Sequence, residues 1–209
     1  MRICAILVPF IIVACGDAHR PAPDSVSERP SARSASLFAV GIWPGEGVPV
    51  IAAVRGHLPL LRSPAPGAPV TDTLTARVGD HIAYDSTRLQ TVTPAVVRVI
   101  RDATVRGRYL GSLRFLSRDR YYSGAFRDTA IAIEATKSFE YLQPRAEGTC
   151  FVRIDGSVID ADPCPILDPS RFASAGEPQT LWWVFARGAS DSGWLLVSDS
   201  TARVVRRGY

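Results

Sequence analysis

The chain has 209 residues, of which 46% are hydrophobic and 21% charged, a composition that excludes a disordered protein and predicts one or two globular domains. Its net charge is +4, a field too weak to demand an anionic partner, though it permits one. Lys137 is the only lysine, so arginine, which suits planar, bidentate contacts with carboxylate or phosphate, carries nearly all the positive charge.

The N-terminus reads MRICAILVPFIIVACGD. Arg2 gives a short positive region, and Ile3 to Val13 is an apolar run. The run is long enough for a signal peptide and too short to span a bilayer, which takes about 20 residues. Its end, Ile12-Val13-Ala14-Cys15, resembles the lipobox of bacterial lipoprotein precursors. That resemblance implies removal of residues 1–14 as a signal peptide and lipidation of Cys15, palmitate included, as the mature N-terminus. Gly16 follows the cysteine where an aspartate is absent. In lipoproteins of bacteria with two membranes this pattern implies sorting to the outer membrane, facing the periplasm. Residues 16–36 are rich in Pro, Ser and Ala with almost no large apolar side chain, so nothing in them offsets the entropy of ordering. Residues 15–36 read as the lipidated cysteine and a disordered tether, reaching about 25 Å.

From Leu37 onward the signals are short and extended. Val48 to Val54, Ala95 to Ile100, Tyr109 to Leu116 and the alternating Ala130 to Ala135 each predict a strand. Phe151 to Ile154 and Ser157 to Ile159 flank Asp155-Gly156, and Asp-Gly supplies the positive φ of a tight hairpin turn. Leu181 to Ala186 and Trp194 to Val197 predict a second hairpin, and Ala202 to Val205 a last strand. No segment holds a helical period over three turns. Strands recurring between Gly and Pro give an all-β fold, barrel or sandwich.

Two pieces carry a family resemblance. His57-Leu58-Pro59-Leu60-Leu61-Arg62-Ser63-Pro64, a Pro/Gly-rich loop, Val70 to Leu74 and the Val78-Gly79-Asp80 turn resemble the opening of bacterial Src-homology-3-like domains. Trp182 to Arg187 followed by Gly193-Trp194-Leu195-Leu196-Val197 resembles their closing hairpin. The pieces lie roughly a hundred residues apart, too far for a single such barrel. The resemblance therefore implies two small barrels, residues 37–118 and 119–209, or alternatively one barrel with a long β insertion. It also implies that Trp194, after Gly193, is core. Trp182 and Trp183 are adjacent and point to opposite faces of a strand, with Trp183 expected inside and Trp182 nearer the surface.

With Cys4 leaving in the signal and Cys15 lipidated, Cys150 and Cys164 remain. An even remainder in an exported chain predicts a disulfide between them. Neither His57 nor His81 has metal-ligand spacing, and there is no dinucleotide or P-loop motif. GASDSG, Gly188 to Gly193, lacks the register of a nucleophile elbow. Asp160-Ala161-Asp162 lacks the rest of a calcium loop, and turn aspartates account for it. No cofactor, metal or catalytic residue is assigned. The richest constellation is basic: eight arginines between Arg98 and Arg127, interleaved with Tyr109, Phe115, Tyr121 and Tyr122. Arginine and aromatic side chains on a β surface hold phosphates or stack on sugars, although alternating arginines are also the ordinary solvated face of a strand. Export argues against nucleic acid. The expected function is a membrane-anchored extracytoplasmic binding module, not an enzyme. Its ligand is cell-wall peptide or glycan (peptidoglycan) or an envelope protein, and its site is Tyr109, Arg118, Arg120, Tyr121, Tyr122 and Trp182. A structural or assembly lipoprotein, and a hydrolase with a site scattered in sequence, are the alternatives.

Overall fold

A computed structural model describes residues 38–43, 47–146 and 148–206; the expected signal peptide, Cys15 and tether lie outside them. The described chain is almost wholly β. Its strands are Phe38–Val40 (β1), Val50–Ala53 (β2), His57–Leu61 (β3), Val70–Thr75 (β4), Tyr84–Thr93 (β5), Ala95–Val99 (β6), Ala103–Gly111 (β7) and Phe115–Leu116 (β8). After one short helix, Arg118–Ser123 (α1), come Arg127–Ile133 (β9), Ser138–Pro144 (β10), Cys150–Ile154 (β11), Ser157–Ala161 (β12) and Phe172–Ser174 (β13). Gln179–Arg187 (β14), Ser192–Val197 (β15) and Ala202–Arg206 (β16) finish the chain.

Two seven-stranded sheets result. Sheet one has the order β4-β3-β15-β14-β5-β1-β8, sheet two the order β13-β6-β10-β11-β12-β7-β9, and β16 pairs with β2 apart from both. All pairs are antiparallel except β1 with β8. The expected division at Arg118 does not separate the sheets. β14 and β15 pair back onto β5 and β3, while β6 and β7 pair forward onto β10, β12 and β9. The long insertion between β5 and β14 supplies every strand of sheet two, and its β8 returns to pair with β1 of sheet one. The physical reason lies at Arg118 itself: Ser117 caps a helix there, accepting from the Arg120 N–H at 3.3 Å, so the segment is a structured crossover and not a linker.

Three apolar clusters follow from strand alternation. One lies on one face of sheet two and gathers Val97, Val105, Phe139, Val152, Ile159 and Phe172. Cys150 and Cys164 belong to it and form the expected disulfide. A second joins Phe38, Val40, Leu89 and Leu116 of sheet one to Leu110, Leu142, Phe151 and Val158 of sheet two. The third sits between the β2–β16 pair and sheet one, around Ile51, Leu58, Leu60, Val184 and Leu195. Across the second cluster, the Thr91 hydroxyl donates to the Leu142 carbonyl at 2.8 Å. A bulge in β10 makes this possible. Beside it Gln143 is fully buried, its amide unpartnered among the described residues, which costs about 1–3 kcal/mol.

The β11–β12 turn forms as Asp155-Gly156 predicts, with φ of 47° and 78°. The β14–β15 turn is held from outside. Asp72 on β4 accepts from the Ser190 N–H at 2.9 Å and the Asp191 N–H at 2.8 Å. Gly188 leaves room for that carboxylate, because a Cβ there would come 2.3 Å from its Oδ2. These N–H groups, with that of Thr73, hold the Asp72 carboxyl down at about 2. A carboxyl depressed in the folded state contributes stability that is present above its ordinary value of 3.8 and lost as pH falls through about 2. The urea midpoint is expected to fall across that window, and to fall less steeply in Asp72→Asn. In the same assay at neutral pH, the Cys150→Ala, Cys164→Ala double variant should lose about 3 kcal/mol, the chain-entropy value for so short a loop.

Candidate functional site

Sheet one presents an aromatic outer face. Val184, Ala186 and Leu195 turn into the third core cluster, so their neighbours Trp183, Phe185 and Trp194 turn the other way. Phe185 and Trp194 are directly opposite across β14 and β15. Their rings meet edge to face at 5.3 Å, and both stay half-buried. Trp183 shares the face and is fully buried, as expected. Its indole N–H donates to Gln90 Oε1 at 3.1 Å, and the Gln90 amide donates onward to the Pro64 carbonyl at 2.8 Å. That relay ties the loop after β3 across the Trp183 part of the face. Further along, the Arg88 guanidinium lies 4.4 Å over the ring of Phe115, which is 41% exposed. Burial lowers the Arg88 pKa.

The expectation that Trp194 is core is corrected. Gly193 takes the inward place instead: a Cβ there would lie 2.8 Å from Leu60 Cβ, so the strand packs too closely onto β3 for any inward side chain. The register then turns Trp194 outward. Trp182 is half-buried, nearer the surface than Trp183, with its N–H donating to Thr87 Oγ1 at 2.5 Å and its ring 4.5 Å from Trp43.

The structure divides the six expected site residues among three places. Arg118, Arg120, Tyr121 and Tyr122 share α1, but only Arg118, Arg120 and Tyr122 are exposed. Tyr109 packs against the first cluster, on the face of sheet two opposite Arg108. Its hydroxyl meets Ser157 Oγ at 3.2 Å and Arg127 lies over its ring. Trp182 belongs to sheet one.

Tyr121 turns inward onto a polar centre that sequence reasoning missed. Asp160 on β12 is buried, its side chain 1% exposed. Its Oδ2 accepts from Arg108 Nε at 3.0 Å, from Arg108 Nη2, and from the Tyr121 hydroxyl at 3.4 Å. Arg145 Nε lies 2.9 Å from Oδ1 but off the line of a hydrogen bond, so this contact is an ion pair. Burial, then the charge of Asp160, raises the Tyr121 pKa and keeps the phenol a donor. Burial works against the Arg108 charge, but the hydrogen bond and charge of Asp160 outweigh it and hold that guanidinium above its ordinary value. The sequence -Val-Ile-Asp-Ala-Asp- looks like turn aspartates; in fact Asp160 sits inside a strand, directly opposite Arg108.

Among the described residues no group of three His, Cys, Asp or Glu side chains could hold a metal. One place offers apolar rings and a guanidinium, the other fixed charges in a cleft. Breaking a buried pair by removing one partner costs about 3–5 kcal/mol. Both arginines here are about a third exposed, so Asp160→Asn is expected at the lower end, about 3 kcal/mol by urea denaturation. Tyr121→Phe, which removes one hydrogen bond from Arg108 and one to Asp160, should cost less, about 2 kcal/mol. No family model matches this chain, and neither a curated protein nor a solved structure matches it.

Proposed function

We propose that this protein is an extracytoplasmic binding module, held at a membrane through lipidated Cys15, that recognises cell-wall peptide or glycan. The observation that carries the reading is the outer face of sheet one, which holds half-exposed Trp194 and Phe185 packed on each other and, further along, Arg88 over Phe115. Aromatic rings on a rigid sheet are suited to contact with sugars or peptides, and lose little entropy when they are covered. A second fact supports the Src-homology-3-like part of the proposal. The two pieces that resemble that family are far apart in sequence but adjacent in space, with Trp194 of the closing hairpin opposite Leu61 of the opening strand. The lipobox pattern supports the anchor and the placement at the outer membrane facing the periplasm.

Co-sedimentation of the full chain with purified peptidoglycan sacculi across a salt series tests the function. Binding is expected to survive about 0.5 M salt, where exposed charges are screened within a few ångströms. Trp194→Ala with Phe185→Ala should weaken it at least about tenfold, each buried ring being worth more than 1 kcal/mol. Arg120→Ala with Tyr122→Ala on α1 reads the contribution of the helix separately. Binding that vanishes with salt reduces the arginines to a diffuse patch, and no binding at low salt favours the assembly lipoprotein. Cys15→Ser, followed by detergent-phase partition, reads the anchor independently of any ligand.

A further inference from the structure

The Asp160 centre opens into a cleft of about 500 Å³ that shares no residue with the aromatic face. By register Asp160, Arg108 and Asp128 stand directly opposite one another across β12, β7 and β9, and so share one face of sheet two. Asp160 accepts hydrogen bonds through Oδ2, faces Arg145 as an ion pair through Oδ1, and is nearly shut from solvent. It is one negative charge holding two guanidiniums. The Arg108 and Arg145 side chains are 34% and 28% exposed. Arg108 Nη1 and both Nη atoms of Arg145 make no hydrogen bond among the described residues.

The two arginines are held in place before any ligand arrives. Asp160 fixes their heads, and the Tyr121 ring lies 4.5 Å from the Arg108 guanidinium and 5.6 Å from that of Arg145. Behind them the backbone is packed closely. A Cβ at Gly107 would come within 2.2 Å of the Asp160 carbonyl oxygen, so only glycine lets β7 approach β12 here. Two fixed guanidiniums with spare N–H groups suit the bidentate recognition of a carboxylate.

The same lining also carries the opposite sign. Asp128 and Asp162 line the same cleft, are exposed, and make no ion pair among the described residues. The remaining charge, Arg106, is exposed too. The lining therefore balances three arginines against three aspartates. A phosphate or other polyanion meets Asp128 and Asp162 as repulsion, and a simple cation meets the arginines. A molecule with a carboxylate and an ammonium group a few bonds apart meets neither.

We propose that the Arg108–Arg145–Asp128–Asp162 cleft binds a small zwitterion, an amino acid or short peptide with a free ammonium group: its carboxylate lies on Arg108 and Arg145 and its ammonium group on Asp128 and Asp162. This deepens the binding-module reading, on which it rests, by naming a ligand class at a second place on the molecule.

Calorimetric titration of the full chain in detergent tests it with four probes. These are alanyl-alanine, its N-acetyl form, its C-terminal amide, and inorganic phosphate. Alanyl-alanine is expected to bind at least about tenfold more tightly than the other three, a difference of about 1.4 kcal/mol. The Asp128→Asn, Asp162→Asn double variant changes only exposed side chains. It should erase the preference of alanyl-alanine over the N-acetyl form, by weakening the first and relieving repulsion of the second. Arg145→Gln, which leaves the Arg108–Asp160 pair intact, should weaken both probes that carry a carboxylate. No heat from alanyl-alanine at about 10 mM overturns the proposal. So does equal affinity for the free and N-acetyl forms, or tighter binding of phosphate. Sacculus binding lost in the Trp194, Phe185 variant with dipeptide binding intact leaves the cleft standing; the reverse leaves the aromatic face standing.

Discussion

The pairing of β5 with β14 is the constraint on which the rest of this fold depends. It runs from Gln179↔Thr93 to Ala186↔Tyr84 and joins segments on either side of the whole insertion. Closing so long a loop costs little more entropy than closing a moderate one, since the cost grows only with the logarithm of length. The insertion also folds into a sheet with its own core, so it does not act as slack chain. Once β5 and β14 are paired, the alternation of β14 is settled. Trp182 turns to the side shared by the second and third clusters, and Trp183 to the outer face. Crowding tryptophans at one end of the chain thus serves both faces of one strand pair.

The two sheets are joined by apolar packing with polar exceptions at defined places. The Thr91 hydroxyl reaches the Leu142 carbonyl that the β10 bulge frees. At the other side of the same interface α1 lays Tyr121 over Asp160, so a short helix closes the end of the second cluster. Replacing a buried ion network by apolar side chains of equal volume is often neutral or stabilising. Stability alone therefore does not account for Asp160. What the network does accomplish is to hold two arginines in fixed positions at a solvent-accessible wall.

Much of this was legible in the sequence, and the failures have physical causes. The Asp155-Gly156 hairpin, the β14–β15 hairpin and most strands follow from turn chemistry and alternation, and the Cys150–Cys164 bridge from counting cysteines under the expectation of export. The central strand β5 was not legible. Its buried positions include Gln90 and Thr91, polar residues whose partners, Trp183, Pro64 and Leu142, lie far away in sequence. Asp160 was hidden for the same reason: only the register brings Arg108 opposite it. Trp194 was misplaced because the clue, Gly193, has two uses. A small residue can make room for its neighbour to fold under the sheet, or can itself take the inward place, and the distance to Leu60 selects the second.

On the proposed reading, anchoring and binding reinforce one another. A tether of the composition of residues 16–36 reaches about 25 Å, which confines the module to a shell next to the membrane. A ligand fixed in the same shell is met at an effective concentration in about the millimolar range. Neither the half-buried aromatic pair nor a cleft with balanced charge then requires tight intrinsic binding to be occupied. Tightness would even work against a module that must release one strand of a polymer to meet the next, since differences in affinity appear mainly as differences in off-rate. The balanced lining of the Asp160 cleft suits that requirement. Its attraction is local and two-signed, so it falls away once either charge of the ligand is out of register, whereas a uniformly basic wall would hold any anion along its length.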